Sequence, residues 1–285
     1  MKAVVLGNKD LAVNCLEVIL QHDISVVGVV PNSNDDGGEH ETWYRSLRRA
    51  ANRLALPVWE VKNISSPLGL RHLRAARPDL LFSFSYNRIV RKPALELVSF
   101  CNLNVHFSRL PHFRGCLSLV HALAQGDDSI GVTLHVMDEG IDTGGILAQT
   151  MTEVTCSDTA FSMYFKCVDA GTRLVQDNID KVMRGDLRPR RQQLEDGSYH
   201  SMVYPNDRWL SPHMTSKAMA CFVRAHTFAG YPTARACLAG QEVSVTFDEG
   251  GYGVPALKKC SMSAVDLREF LLHRKMGSPP KGAAS

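Results

Sequence analysis

The chain has 285 residues, long enough to bury a full-sized core in one large domain or in one large and one small. Hydrophobic residues make up 45% and charged residues 21%, as in ordinary globular proteins, and a net charge of +3 is too small to point to a nucleic-acid partner. No stretch approaches the roughly 18 uninterrupted apolar residues of a membrane span.

The N-terminus, MKAVVLGNKD, turns polar too soon for a signal peptide and reads as a first strand, which places the protein in the cytoplasm. Strands are expected at 2–6 and 24–30, with a helix at 10–21 between them. A polar loop follows; its residues 32–40 either close over a ligand or simply face solvent. Then come a helix at 42–54, a short strand at 58–61, a helix at 68–76, a strand at 79–85 and the strand NLNVHF. Two more strands, 131–137 and 146–154, flank the turn-rich DEGIDTGG, and a long helix covers 159–183. Beyond a charged connection lie a helix at 216–226 and strands within 233–247, then a disordered tail. Apolar runs separated by helices imply an α/β fold, a Rossmann-like and mostly parallel sheet with helices on both faces, plus a small C-terminal β-rich module. The expected division is a catalytic domain at 1–185, a linker at 186–203, a small domain at 204–273 and the tail at 274–285.

Several chemistries are excluded by what is missing. GNKDLA after the first strand has one glycine where a dinucleotide fingerprint needs three, and there is no P-loop, no H-E-x-x-H and no G-x-S-x-G. The eight cysteines show neither C-x-x-C spacing nor a Cys/His cluster, so neither disulfides nor a structural zinc is expected.

NLNVHFSRLPHFRG holds the first candidates. Asn104 and His106 stand two apart on a strand and so face the same side, at the carboxyl end where open α/β sheets bind ligands. Asp142 lies in the turn after a strand expected beside theirs. An amide can donate to an oxyanion, a histidine can exchange protons near neutral pH, and a carboxylate can orient that histidine. Together they suit acyl transfer in which the substrate's own amine attacks a carbonyl. Each residue also has a structural reading: Asn104 can pin the following loop, Asp142 can close a turn, and His106 can be a hydrogen-bonded strand residue. His135, mid-strand, reads as a core or rim histidine, and His112 and His121 have no evident partner.

NLNVHFSRLPHFRG followed by GVTLHVMDEGIDTGGILAQ resembles the signature of the folate-dependent formyltransferases, roughly N-x-H-x-S-x-L-P-x-[YF]-R-G and then G-V-T-x-H-x-[MV]-D-x-G-x-D-x-G. The likeness is nearest to sugar-nucleotide N-formyltransferases of the ArnA type. It covers about residues 1–185 and continues weakly to about 245, where the chain looks like a truncated OB-like module. The resemblance implies that Asn104, His106 and Asp142 are catalytic. It implies that 10-formyltetrahydrofolate is the co-substrate, with no metal, and that the carrier lies against Arg88, Ile89 and Val90 and the loop Asp138, Glu139, Gly140, Ile141 and Asp142. The acceptor it implies is a small amine, above all a nucleotide-linked amino sugar, with no nucleic acid or membrane as partner and with assembly as a homodimer. Arg109, Cys116, Ser118 and His121 depart from the pattern and put the acceptor and the details of folate binding in question. The alternatives are formylation of a hydroxyornithine-type amine or of methionyl-tRNA. A deformylase lacks room for its N-terminal regulatory domain, and a folate-binding sensor would not need the intact trio.

Overall fold

The computed structural model describes residues 1–35, 43–238, 241–248 and 251–253. The expected loop residues 36–40, the expected helix start at 42, residues 254–273 of the expected small domain, the tail 274–285 and Cys260 lie outside the described residues.

The first apolar run forms β1 (Lys2–Gly7), buried at every residue after Lys2. Such a strand needs a neighbour on each side and cover on both faces. β2 (Ser25–Pro31) supplies one neighbour, and α1 (Lys9–Ile19) turns Leu11, Ala12, Leu16 and Ile19 inward to cover one face. α2 (Leu47–Arg53) begins later than the expected 42, because the Ser46 side chain accepts from the Arg49 N–H and sets its start. The strand expected at 58–61 is reduced to a single bridge between Val29 and Val58. Pro57 has no N–H to extend the pairing, and the Val61 N–H turns back to the Trp59 carbonyl. α3 (Pro67–Ala76) starts at a proline behind a Ser66 cap, and β3 (Leu80–Phe84) is buried throughout, both as the sequence indicates. One helical turn, α4 (Lys92–Leu95), leads to β4 (Cys101–His106).

After β4 come a two-residue strand, β5 (Arg114–Gly115), and a helix the sequence reading lacked, α5 (Ser118–Gln125). β6 (Ser129–Val136), β7 (Ile146–Glu153) and the long α6 (Ala160–Arg184) match expectation within two residues. β8 (Tyr199–His200) pairs with β5, and α7 (Ser216–Ala225) precedes β9 (Ala234–Leu238), β10 (Gln241–Asp248) and β11 (Gly251–Gly253).

The main sheet has the order β2-β1-β3-β4-β6-β7. Its first three pairings are parallel, and β6 runs antiparallel to β4 with Asn104 opposite His135 and His106 opposite Thr133. The sheet is therefore Rossmann-like and mostly parallel, but mixed where the candidate residues stand. Two compact units result, one of residues 1–114, 131–152 and 167–198, the other of 115–130, 153–166 and the described residues from 199 onward. The first unit buries Val4, Leu6, Val30, Ile64, Leu73 and Leu81 together. The second buries Leu210, Met219, Phe222, Val223, Ala236 and Val245, where α7 meets the antiparallel sheet of β9, β10 and β11. Each of these side chains larger than alanine contributes about 1.5–3 kcal/mol relative to exposure.

Candidate active site

β4 buries Leu103 and Val105 and turns Asn104 and His106 to the opposite face, as strand alternation requires. The antiparallel course of β6 then decides what meets them. Its carboxyl end lies level with Leu103, and the chain beyond it curls back so that the Gly145 carbonyl accepts from the Val136 N–H. This fold-back delivers Asp142 to the middle of β4. Asp142 Oδ1 accepts from Asn104 Nδ2 at 3.3 Å, and its Oδ2 lies 3.5 Å from His106 Nδ1. The three residues expected to act together therefore meet. The side chains of His106 and Asp142 are 11% and 12% exposed, shielded from bulk water yet reachable.

The hydrogen bonds place one proton on each histidine ring. A carbonyl can only accept, so the 2.8 Å contact between His106 Nε2 and the Phe113 carbonyl puts a proton on Nε2. Nδ1 is then the nitrogen left to gain or lose a proton, and it is the one facing Asp142. In the same way His135 Nδ1 donates to the Val136 carbonyl at 2.9 Å, and its Nε2 lies 3.0 Å from Asn104 Nδ2, from which it accepts when the ring is neutral, and 3.5 Å from Asp142 Oδ1. Flipping the Asn104 amide would set its oxygen against the Asp142 carboxylate, so this orientation is dictated.

His135, read from the sequence as a core or rim histidine, is buried as expected and also joins the cluster, its ring holding the Asn104 amide. The signal would have been the β4–β6 register, which residue alternation does not encode. Gln192 is a second such residue, at a position that no motif or period marks. It is 4% exposed, and its Nε2 donates to the carbonyls of Asp142 and Gly144 at 2.9 and 2.6 Å, clamping the loop from behind.

Within that loop Asp138 Oδ1 accepts from the Gly140 N–H and from the Thr143 hydroxyl, and Asp142 itself stands at a φ of 54°. A Cβ on Gly144 would overlap the Val136 carbonyl oxygen, a backbone atom with nowhere to go. Gly144→Ala is expected to cost about 1–3 kcal/mol of stability and to lower activity by moving Asp142. Thermal unfolding and turnover measured side by side check this, and wild-type values in both would show that the loop absorbs the methyl group.

The other expected ligand segment is also placed. Arg88 and Ile89 are exposed and Val90 is buried. The preceding turn is held by Asn32, whose amide donates to the Ser85 carbonyl and whose oxygen accepts from the Asn87 N–H. Asn32 is itself 3% exposed, so that end of the polar loop is anchored rather than solvated. Two residues past Val90, Lys92 Nζ pairs with Glu139 at 2.7 Å, tying this segment to the Asp142 loop. A cleft of about 550 Å³ adjoins the loop, lined by Asp138, Thr143, Gly145, Pro189, Arg191 and Gln192 among others. Among the described residues no group of three or more His, Cys, Asp or Glu side chains is placed to hold a metal ion, and no helix is long and apolar enough to cross a membrane.

Known proteins match this picture. The model of the family described as formyl transferase covers residues 1–179. The chain is 29% identical over 265 residues to methionyl-tRNA formyltransferase of Halorhodospira halophila, spanning 93% of this chain and 84% of that one. It is 26% identical to the bifunctional polymyxin resistance protein ArnA of Wigglesworthia glossinidia brevipalpis, over 80% of this chain and 35% of that one. Among solved structures, the N-formyltransferase of Helicobacter canadensis in complex with folinic acid and dTDP-3-aminofucose superposes with a TM-score of 0.65 and 25% identity, covering 87% of this chain and 89% of that one. With its two motif blocks, its mixed sheet and its Asn-His-Asp cluster, the chain belongs to the formyl transferase family.

Proposed function

We propose that the chain moves the formyl group of 10-formyltetrahydrofolate to the amine of a nucleotide-linked amino sugar. The observation that carries this reading is the meeting of Asn104, His106 and Asp142 in one shielded cluster, with His106 Nε2 held by a carbonyl and Nδ1 facing Asp142. Support for the acceptor comes from the Helicobacter canadensis relative, described with a folate and an amino-sugar nucleotide. Exposed apolar side chains at Ile89 and Ile141, beside the polar loop of Asp138, Glu139 and Gly140, suit a flat, polar-edged ring such as the carrier's pterin. In this reading residues 1–185 carry the catalysis in the cytoplasm, 186–203 link them to the small domain, and two copies assemble.

The donor supplies an activated formyl carbon. Asn104 Nδ2 offers a proton where negative charge gathers on the formyl oxygen. Its 3.3 Å bond to Asp142 is the longer of its two and the one to be exchanged. As the acceptor amine bonds to the formyl carbon and the bond from that carbon to N10 breaks, His106 takes the amine's proton and gives it to the departing N10, at Nδ1 because Nε2 is committed to Phe113. Asp142 Oδ2 orients that nitrogen, and His135 and Gln192 hold the amide and the loop in register.

A second reading, formylation of methionyl-tRNA, is favoured by the 84% coverage of the Halorhodospira halophila enzyme. A turnover screen separates the two. The protein and 10-formyltetrahydrofolate are mixed with nucleotide-linked 3-amino and 4-amino sugars, methionyl-tRNA and N-hydroxyornithine, and mass spectrometry follows the gain of one formyl group. Formylation of an amino sugar is expected. Formylation of methionyl-tRNA or N-hydroxyornithine alone would overturn the acceptor and keep the chemistry.

A further inference from the structure

His106 owes its proton placement to one backbone carbonyl, that of Phe113, on the irregular segment between β4 and β5. The face of β6 explains how that segment is held. Gly131, Thr133 and His135 alternate along one face of the strand, each two residues from the next. A Cβ on Gly131 would overlap the backbone of Arg109, so the segment lies directly on the strand there. His135 holds Asn104. Thr133, paired with His106 in the ladder and fully buried, stands between them.

The polar groups around Thr133 form one network whose directions are all determined. Arg190 can only donate, so its 3.1 Å contact fixes Oε1 of Gln149 as the acceptor and turns Nε2 toward the segment. Nε2 then donates to the Leu110 carbonyl at 3.0 Å and to Thr133 Oγ1 at 2.8 Å. The Leu110 N–H also donates to Thr133 Oγ1, at 3.3 Å. The hydroxyl therefore spends its single proton on the Ser108 carbonyl, at 2.6 Å. Ser108 in turn donates to the His112 carbonyl at 2.7 Å, one residue before Phe113. Phe113 sits at a φ of 54°, in the left-handed region, with its N–H held by Ser198 Oγ at 2.8 Å. Nothing in a free loop would favour that conformation for a phenylalanine; the network imposes it.

We infer that Thr133 and Gln149 are positioning residues that hold the segment from Ser108 to Phe113 so that the Phe113 carbonyl fixes the proton of His106 on Nε2. They touch no reacting atom. Their effect reaches the proposed formyl transfer, on which the inference rests, only through the ring of His106.

Nitrogen-15 NMR of the histidine side chains tests this without any substrate. In the wild-type protein His106 should be the Nε2–H tautomer. Thr133→Val keeps the shape but removes the hydroxyl, and it should give a mixture of tautomers at His106. Thr133→Ser keeps the hydroxyl and should restore the wild-type spectrum. Turnover, with the acceptor that the screen above yields, should fall about tenfold in Thr133→Val, with KM for the folate within twofold, and recover in Thr133→Ser. Gln149→Met, at a half-buried site, removes both amide donors and should shift the same signals; it decides the matter if Thr133→Val does not fold. Wild-type tautomer populations in the folded valine or methionine variant would overturn the inference and leave formyl transfer untouched. A shifted tautomer in a protein that formylates no acceptor would instead sink the functional reading alone.

Discussion

Asn104→Ala is expected to lower turnover at least a hundredfold while the protein still folds. The burial of β4 is carried by Leu103 and Val105, which the substitution does not touch. What is lost is a donor aimed at the site where charge develops, and removing one such donor costs about 2.7–4 kcal/mol of barrier. His106→Ala should match it, because it removes Nδ1, the one ring nitrogen not committed to a backbone carbonyl. The two losses should not add, since both residues act on the same step and share Asp142. KM for the folate should change little, because neither residue lies in the segments expected to hold the carrier. Some stability will also be lost in Asn104→Ala, as His135 Nε2 is left buried without its donor, at about 1–3 kcal/mol. Steady-state kinetics on protein shown to be folded by its thermal transition checks all of this. Turnover within tenfold of wild type in either variant would end the assignment.

Two of the trio were legible from a period of two, since Asn104 and His106 must share a face wherever NLNVHF is a strand, and Asp142 from its turn after the next long strand. β1 and β3 were legible as short unbroken apolar runs, buried on both faces, and α3 and α6 as helical periods, α3 with a Ser-Pro start. α5 was not, because it opens on Leu117 at a φ of 55° with no capping side chain and so carries no start signal. His135, Gln192 and Thr133 were hidden for a different reason. Their roles arise from pairing between distant segments, the β4–β6 register and the return of residues 189–198 past the Asp142 loop. Asn32 shows the limit most plainly. It heads a polar stretch that reads either as closing over a ligand or as facing solvent, yet it is buried and holds the turn before Arg88.

Mild acid is expected to destabilise the protein, and to do so first in the unit that contains α7. His226 there is 2% exposed. Its pKa is pushed down to about 4, by burial first and then by Arg208 and His121, against the opposing effect of its hydrogen bond to the Phe222 carbonyl. His121 is also pushed down to about 4, by burial and by His200, whose ring stacks on it at 3.8 Å. Burial lowers His200 as well. A histidine depressed in the folded state binds fewer protons there than when unfolded. Its stabilising share is whole above the ordinary value near 6.5 and drains away as pH falls toward 4. For His226 the loss reaches roughly 2.5 kcal/mol by pH 4.5; His121, partly exposed, adds less than its shift suggests. Asp158 in the same unit, held down to about 2, gives no relief in this range. Asp35, in the other unit, works in the opposite sense. Burial raises it to about 6, so its share grows as pH falls through that value. The two units should therefore respond differently to the same acid. Hydrogen exchange between pH 7.5 and 5 should show 216–238 losing protection well before 80–106, and His226→Phe should remove much of the pH slope. A pH-independent unfolding free energy across that range, or earlier opening of 80–106, would refute the assignment of acid sensitivity to the histidines around α7.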